Sequence, residues 1–253
     1  MTCDAWVSRH PYLQPIAAAR VLVEAAAAKV ARSVVDVPDW EQYADDFRCG
    51  VPLLQSERAG VDVDDPASVV HEMVDELMAM PLPGWLARQC EPLQADPGPA
   101  ADMSALSRWL FWAVIARDLA PVVAAFARWR DEDHWLRNYC PTCGAAPAMA
   151  QLAGRGEGRL RLLACGCCGT RWRYRRTGCP FCEPVDDHRL AVLAVDGENG
   201  LRIDYCGRCQ GYLKTYDGEG NESVLLADWT SLHLDVLARD RGLKRLAASL
   251  YEI

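Results

Sequence analysis

The chain has 253 residues, 51% of them hydrophobic, enough to bury a sizeable core in one or two domains. Its formal net charge is −8, and residues 1–138 alone carry 12 basic against 21 acidic side chains, which argues against non-specific phosphate attraction and so against a nucleic-acid binder. No stretch approaches 18 apolar residues without a charge, so no membrane span is expected.

Residues 15–35 are alanine-rich and lack internal glycine or proline after Pro15, and Ile16, Ala19, Val23, Ala26, Ala27 and Val30 fall on one side of a helix. Pro38 stops it, and Trp40 to Phe47 reads as a second, shorter helix. Asp65-Pro66 opens a third, with the aspartate as N-cap and the proline at the first helical position, where its missing N–H is harmless. Val69, Val70, Met73, Val74, Leu77 and Met78 form its apolar stripe, which reads as core. Prolines 81, 83, 92, 97 and 99 predict turns with one short helix near Trp85.

Helical pattern resumes at Asp102 or Ser104. Leu106, Trp109, Leu110, Ala113, Val114 and Arg117 share a face, while Phe111, Trp112 and Ile115 make the segment apolar almost all round, as befits the middle of a bundle. Pro121 is expected to break or kink it. Val122 to Tyr139 then continues as a helix that delivers the chain to a cysteine-rich half, with Trp129 and Trp135 packing at the junction and His134 a surface or packing residue.

That half is organised by a ladder of four C-x-x-C pairs: Cys140-Pro-Thr-Cys143, Cys165-Gly-Cys-Cys168, Cys179-Pro-Phe-Cys182 and Cys206-Gly-Arg-Cys209. The spacing lets a tight turn aim both sulfurs at one ion, at about 2.3 Å for zinc, and a four-sulfur shell selects zinc or iron over magnesium or calcium. The ladder is a repeat: Cys140 to Cys179 and Cys143 to Cys182 are offset by 39 positions, Cys165 to Cys206 and Cys168 to Cys209 by 41. Each copy reads as knuckle, strand, turn, strand, knuckle, strand. The first copy has Met149–Ala153, a turn over Gly154–Gly158, Arg159–Ala164, then Arg171–Arg176; the second has Leu190–Val195, Gly197–Gly200, Leu201–Tyr205, then Tyr212–Tyr216. Cys140, Cys143, Cys165 and Cys168 are therefore grouped around one metal ion, and Cys179, Cys182, Cys206 and Cys209 around another.

A disulfide framework is the competing reading. It belongs to small secreted chains, and the opening Met1-Thr-Cys-Asp-Ala-Trp6 has neither a basic n-region nor an apolar h-region, so a reducing, cytoplasmic home is expected. Cys167 could replace Cys165 or Cys168, but the C-x-x-C-Gly form of Cys140–Gly144 recurs at Cys165–Gly169 and favours the outer pair. Cys3, Cys49 and Cys90 read as ordinary buried thiols. After the ladder, Asp217–Asn221 is a loop, and Asp228 or Thr230 can cap a final helix through Asp240 that Gly242 ends, with Trp229, Leu232 and Val236 as its docking stripe.

Two shells closed by four sulfurs leave no position for an activated water, and no paired Cys and His, no His-Glu-x-x-His and no phosphate loop is present, so no enzyme is expected. Arg171, Arg173 and Arg175 alternate with Trp172 and Tyr174, the pattern of a half-buried strand and not of a nucleic-acid face.

The run Cys140-Pro-Thr-Cys-Gly144, the Cys168-Gly-Thr-Arg-Trp172 stretch, Gly178-Cys-Pro-Phe-Cys-Glu183, Tyr205-Cys-Gly-Arg-Cys-Gln-Gly-Tyr-Leu-Lys-Thr-Tyr-Asp217 and Leu226-Ala-Asp-Trp-Thr-Ser-Leu-His-Leu-Asp235 together resemble the formate dehydrogenase accessory protein family, FdhE. The resemblance implies an α+β fold: a helical domain (1–138), two tandem rubredoxin-like or zinc-ribbon modules (139–178 and 179–217) and a C-terminal helical segment (218–253). It implies an assembly factor that binds the immature catalytic subunit of respiratory formate dehydrogenase in the cytoplasm, with iron or zinc in each four-cysteine site and a homo-oligomer possible. The alternatives are a rubredoxin-like electron carrier and a zinc-ribbon nucleic-acid-binding regulator.

Overall fold

A computed structural model describes residues 7–32, 35–62, 66–95, 105–154, 158–182, 190–198, 200–218 and 228–247. The alanine-rich opening forms α1 (Gln14–Lys29) and buries Ala19, Val23 and Ala26. It stops well short of residue 35 because Val30 turns to extended backbone. Arg117 from a distant helix then takes the carbonyls that a helix end leaves open, those of Ala27 (2.8 Å), Val30 (3.4 Å) and Ala31 (3.1 Å). Helix α2 (Trp40–Cys49) starts where Asp39 accepts from the backbone N–H groups of Glu41 and Gln42, and ends at Gly50 in the left-handed region.

Helix α3 (Pro66–Met78) begins on the expected proline, while its proposed cap, Asp65, lies outside the described residues. Its stripe is core, with Val70, Met73, Val74 and Leu77 fully buried. The proline-punctuated stretch is more helical than expected: the short helix near Trp85 is α4, which runs from Gly84 to Ala95 with Pro92 inside it. Leu86, Cys90 and Leu93, at helical spacing, anchor it in the same core as α1 and α3.

A second correction concerns Pro121. Helix α5 (Ala105–Trp129) is continuous through that residue, and the Val122–Tyr139 segment is not a separate helix, since residues 130–139 are turns and coil. The two halves of α5 belong to different cores: Leu110, Phe111 and Val114 join α1, α3 and α4, while Val122 and Phe126 join α2 and the sheet. Burial at both ends keeps the helix continuous against the cost of one missing hydrogen bond. By length and composition Arg108–Trp129 alone among the described residues could cross a membrane. Midway along it, however, Asp118 is buried beside Arg117 (2.7 Å), which is bonded to the end of α1.

The second half is one six-stranded sheet in the order β3-β2-β1-β6-β5-β4. Its strands are β1 (Pro147–Ala153), β2 (Leu160–Cys165), β3 (Arg171–Arg173), β4 (Leu190–Ala194), β5 (Leu201–Cys206) and β6 (Tyr212–Gly218). Within each copy neighbours are antiparallel, and the copies join through parallel pairing of β1 with β6. The repeat therefore lies side by side in one sense, as a translation across the sheet. One face carries Ala150, Leu163, Trp172 and Leu213 against α2 and α5, in a cluster with Tyr43, Phe47, Phe126 and Trp135. The other carries Met149, Ala164, Ile203, Tyr212 and Tyr216 under the last helix, α6 (Leu232–Asp240). The fold is thus α+β, with a helical half, a sheet bearing the cysteine ladder, and a closing helix. Trp129 and Trp135 pack at the junction as expected, and His134 is an exposed residue 2.7 Å from Asp131.

Candidate metal centres

The first, second and fourth knuckles are tight turns closed by backbone hydrogen bonds around their two sulfurs. In the first, Cys140 N–H donates to Ala145 and Gly144 N–H to Cys140, both at 2.9 Å; in the fourth, Cys206 N–H donates to Gly211 and Gln210 N–H to Cys206 at the same distance. The residue after the second cysteine must take a left-handed backbone, and it does so at Gly144 (φ 80°), Gly169 (φ 72°) and Gln210 (φ 59°). Gln210 is the lone non-glycine with positive φ among the described residues. Its side-chain amide donates to the Gly207 carbonyl at 2.9 Å. The same turns aim N–H groups at sulfur: Thr142 at Cys140 and Phe181 at Cys179, each 3.4 Å, and Gly211 at Cys209, 3.3 Å.

The structure brings Cys140, Cys143, Cys165 and Cys168 into one group and Cys179, Cys182, Cys206 and Cys209 into another, with the four sulfurs of each within 4.8 Å of one another. Sulfurs from different knuckles approach to 3.5 Å (Cys140–Cys168 and Cys143–Cys165) and 3.7 Å (Cys179–Cys209 and Cys182–Cys206). A cystine would need about 2.05 Å, so the disulfide reading fails and all eight are free thiols. A tetrahedron with metal–sulfur bonds of about 2.3 Å has edges of about 3.8 Å, so both donor sets fit one ion each. The protein therefore offers two candidate metal sites, each a set of four cysteines able to hold one ion.

The environments of the two sites differ. The first is sunk into the core shared with the helical half: Cys140, Cys165 and Cys168 are buried with Trp172, Phe126 and Trp135. Helical residues also grip its knuckle directly, with Leu53 N–H donating to Pro141 (2.9 Å) and Leu54 N–H to Thr142 (2.8 Å). The second lies nearer the surface, where Cys182 and Cys209 are partly exposed. Sulfur-to-sulfur hydrogen bonding splits the thiols of the first group. Donation from Cys140, Cys165, Cys167 and Cys168 pushes Cys143 far down, and the same network, with burial, pushes Cys165 up. In the second group burial raises Cys206, but the backbone N–H groups of Cys209 and Arg208, together with hydrogen bonds from the Cys182 and Cys179 side chains, bring that thiol to about 7.

Cys167 is buried beside the first group and stands outside the four. Cys90 is buried as expected; Cys49, at the exposed end of α2, is not, and Cys3 lies outside the described residues. Trp172 and Tyr174 point into the core while Arg171 meets Gln151 (3.1 Å) and Arg173 meets Asp133, so these arginines are engaged within the fold.

Sequence reasoning missed what supports the second site. Buried Lys214 reaches Asp228 (2.7 Å) and Asp235 (2.6 Å); Arg245 holds both oxygens of Asp228 (2.7 and 2.8 Å), and Tyr212 donates to Asp235 (2.7 Å). This neutral cluster locks α6 onto β6 immediately after the fourth knuckle. Its signal was present in the alternation of Tyr212 and Lys214, which puts a lysine on the inward face of a strand and demands buried partners for it. Gly211 completes the support: a Cβ there would stand 2.6 Å from Leu246, 2.9 Å from Phe181 and 3.1 Å from Cys209 Sγ.

A family model described as "FdhE, central domain" matches residues 139–176, which hold the first site. The "Protein FdhE homolog" of Aquifex aeolicus is 32% identical over 129 residues, 49% of this chain and 46% of that protein. That of Cronobacter sakazakii is 30% identical over 203 residues, 76% of this chain and 62% of that protein. The chain thus spans less than two thirds of the length of either relative. A solved structure, "The crystal structure of the FdhE protein from Pseudomonas aeruginosa", superposes with a TM-score of 0.61 over 97% of this chain and 91% of the other at 23% identity, which is a likeness of fold.

Proposed function

The chain belongs to the FdhE family, and from that premise we propose that it is a formate dehydrogenase accessory protein that binds the immature catalytic subunit in the cytoplasm. The observation that carries this reading is the pairing of two closed sulfur shells on one continuous sheet, one buried as an anchor and the other turned toward the surface. Closed shells supply no place to activate a substrate, so the chain acts by binding and not by turnover. Cys140, Cys143, Cys165 and Cys168 hold the first ion, and Cys179, Cys182, Cys206 and Cys209 the second. The repeats 139–178 and 179–217 then serve as two modules of a single rigid platform. With iron the ions would add one-electron chemistry; with zinc they are purely structural.

The test is capture of a cofactor-free formate dehydrogenase catalytic subunit by the immobilised chain. Wild type is expected to retain it. Cys182→Ser is expected to lose both the second metal equivalent and the capture while keeping the first equivalent. Undiminished capture by that variant would show that the second module is not the docking face. A rubredoxin-like electron carrier is the second reading, favoured by the N–H groups aimed at Cys179 and Cys209. It requires a coloured iron protein that bleaches reversibly on reduction, and stoichiometric zinc would rule it out.

A further inference from the structure

Away from both sulfur groups, three more metal-ligating side chains converge. His10 precedes the Pro11–Leu13 turn, Glu198 lies in the β4–β5 hairpin, and His233 is in the first turn of α6. Nε2 of His10 and Nε2 of His233 stand 3.1 and 3.0 Å from the same oxygen, Glu198 Oε1. A donor atom from each of the three lies within 4.8 Å of the others. The imidazoles stack with centroids 4.4 Å apart and planes 25° from parallel, so their nitrogens are presented side by side. The carboxylate's other oxygen is 3.8 Å from Arg9, whose guanidinium also donates to Gly197 (2.9 Å) and ties the hairpin to the N-terminal segment.

Two imidazole nitrogens facing one carboxylate oxygen require a proton on each nitrogen or a cation among the three. Tyr12 Oη is 2.8 Å from His233 Nδ1. With Nδ1–H donating to that phenol oxygen, Nε2 carries a lone pair toward Glu198. Tyr12 then has the place of the outer partner that fixes a ligating histidine's tautomer and ring orientation.

We propose that His10, Glu198 and His233 form a third metal site, of two histidines and one carboxylate, for a divalent first-row transition ion, zinc foremost. Bonds of about 2.0–2.1 Å in a tetrahedron set donors about 3.4 Å apart, so the two nitrogen–oxygen separations, 3.1 and 3.0 Å, need to open by only a few tenths of an ångström. Three protein ligands leave a fourth position for water or for a donor from a partner. None of the three belongs to the cysteine ladder, and they join the start of the chain, the second repeat and the last helix. Beneath them Leu13, Trp229 and Leu232 form a small apolar cluster on the same seam, which the ion would pin.

The experiment is a cobalt(II) titration of the full chain under reducing conditions, read by absorption and by bound metal per chain. Wild type is expected to take three equivalents: two with intense sulfur charge-transfer bands, and a third with weak ligand-field bands alone, as nitrogen and oxygen donors give. Glu198→Gln and His10→Gln are each expected to weaken the third equivalent at least tenfold while the two sulfur-bound equivalents, which also report that the chain is folded, persist. Saturation of wild type at two equivalents overturns the proposal. So does a third ion with sulfur charge transfer, which would place it on a remaining cysteine, or a third equivalent that survives either substitution unchanged. Should a variant fail to fold, the wild-type stoichiometry and spectrum decide alone.

Discussion

At the scale of the residue, the sulfur sites depend on backbone that only some side chains tolerate. Gly169 has open space around its missing Cβ, whereas a Cβ on Gly144 would stand 2.3 Å from the Gln55 amide and 3.3 Å from Pro52. Gly169→Ala should therefore cost about 1–2 kcal/mol from the left-handed backbone alone. Gly144→Ala should cost about 1 kcal/mol more, because Gln55 must leave its hydrogen bond to the Cys143 carbonyl; denaturant midpoints of the two metal-loaded variants check the order. Asp228 makes a prediction about pH. Burial raises its carboxyl, but Lys214 and Arg245 overcome that and hold it below the usual range. A depressed native value contributes stability that is complete above the unfolded value of about 3.9 and is lost as pH falls through the native one. Asp228→Asn should lose about 3 kcal/mol at neutral pH, since it leaves buried cations short of a partner. Its gap from wild type should stay constant above about pH 5 and narrow only in stronger acid.

Among the elements, α5 shows how tertiary contacts override local rules. A proline in mid-helix removes a hydrogen bond and clashes with the preceding turn, yet α5 runs on through Pro121 with its two halves buried in two apolar cores. Pro121 itself is exposed, so Pro121→Ala should raise stability by about 1–3 kcal/mol, read as a shift in the thermal midpoint. The early end of α1 has the opposite cause. Propensity favoured continuation, but the Arg117 guanidinium offers the last carbonyls partners that a longer helix would not need. Strand β3 and the residue after it followed the alternation: Trp172 and Tyr174 sank into the core, while Arg171 found Gln151 and Arg173 found Asp133.

On the scale of the whole molecule, the two halves should answer differently to loss of metal. The core of α1, α3, α4 and α5 contains no ladder cysteine, whereas the sheet core includes Cys140, Cys165 and Cys168. Binding of a structural zinc ion is worth about 10–16 kcal/mol in small domains. A strong chelator under reducing conditions should therefore abolish the β-sheet circular dichroism and expose Trp172 to solvent while much helical signal persists. A single cooperative loss of both would show that the helical half has no independent stability. The cysteine pairs, their 39- and 41-residue offsets and the hairpins between them were legible in the sequence, because a knuckle is a local turn and a strand's alternation is a local period. Beyond reach of the sequence were the parallel seam between β1 and β6, which partners (Asp228 and Asp235, with Arg245) answer the inward Lys214, the continuity of α5, and the meeting of His10 with Glu198 and His233. Local spacing fixes which side chains share a turn or a face. Which faces meet across more than a hundred residues is decided by the burial of apolar surface and the pairing of charges that burial forces, and those exist only once the chain has folded.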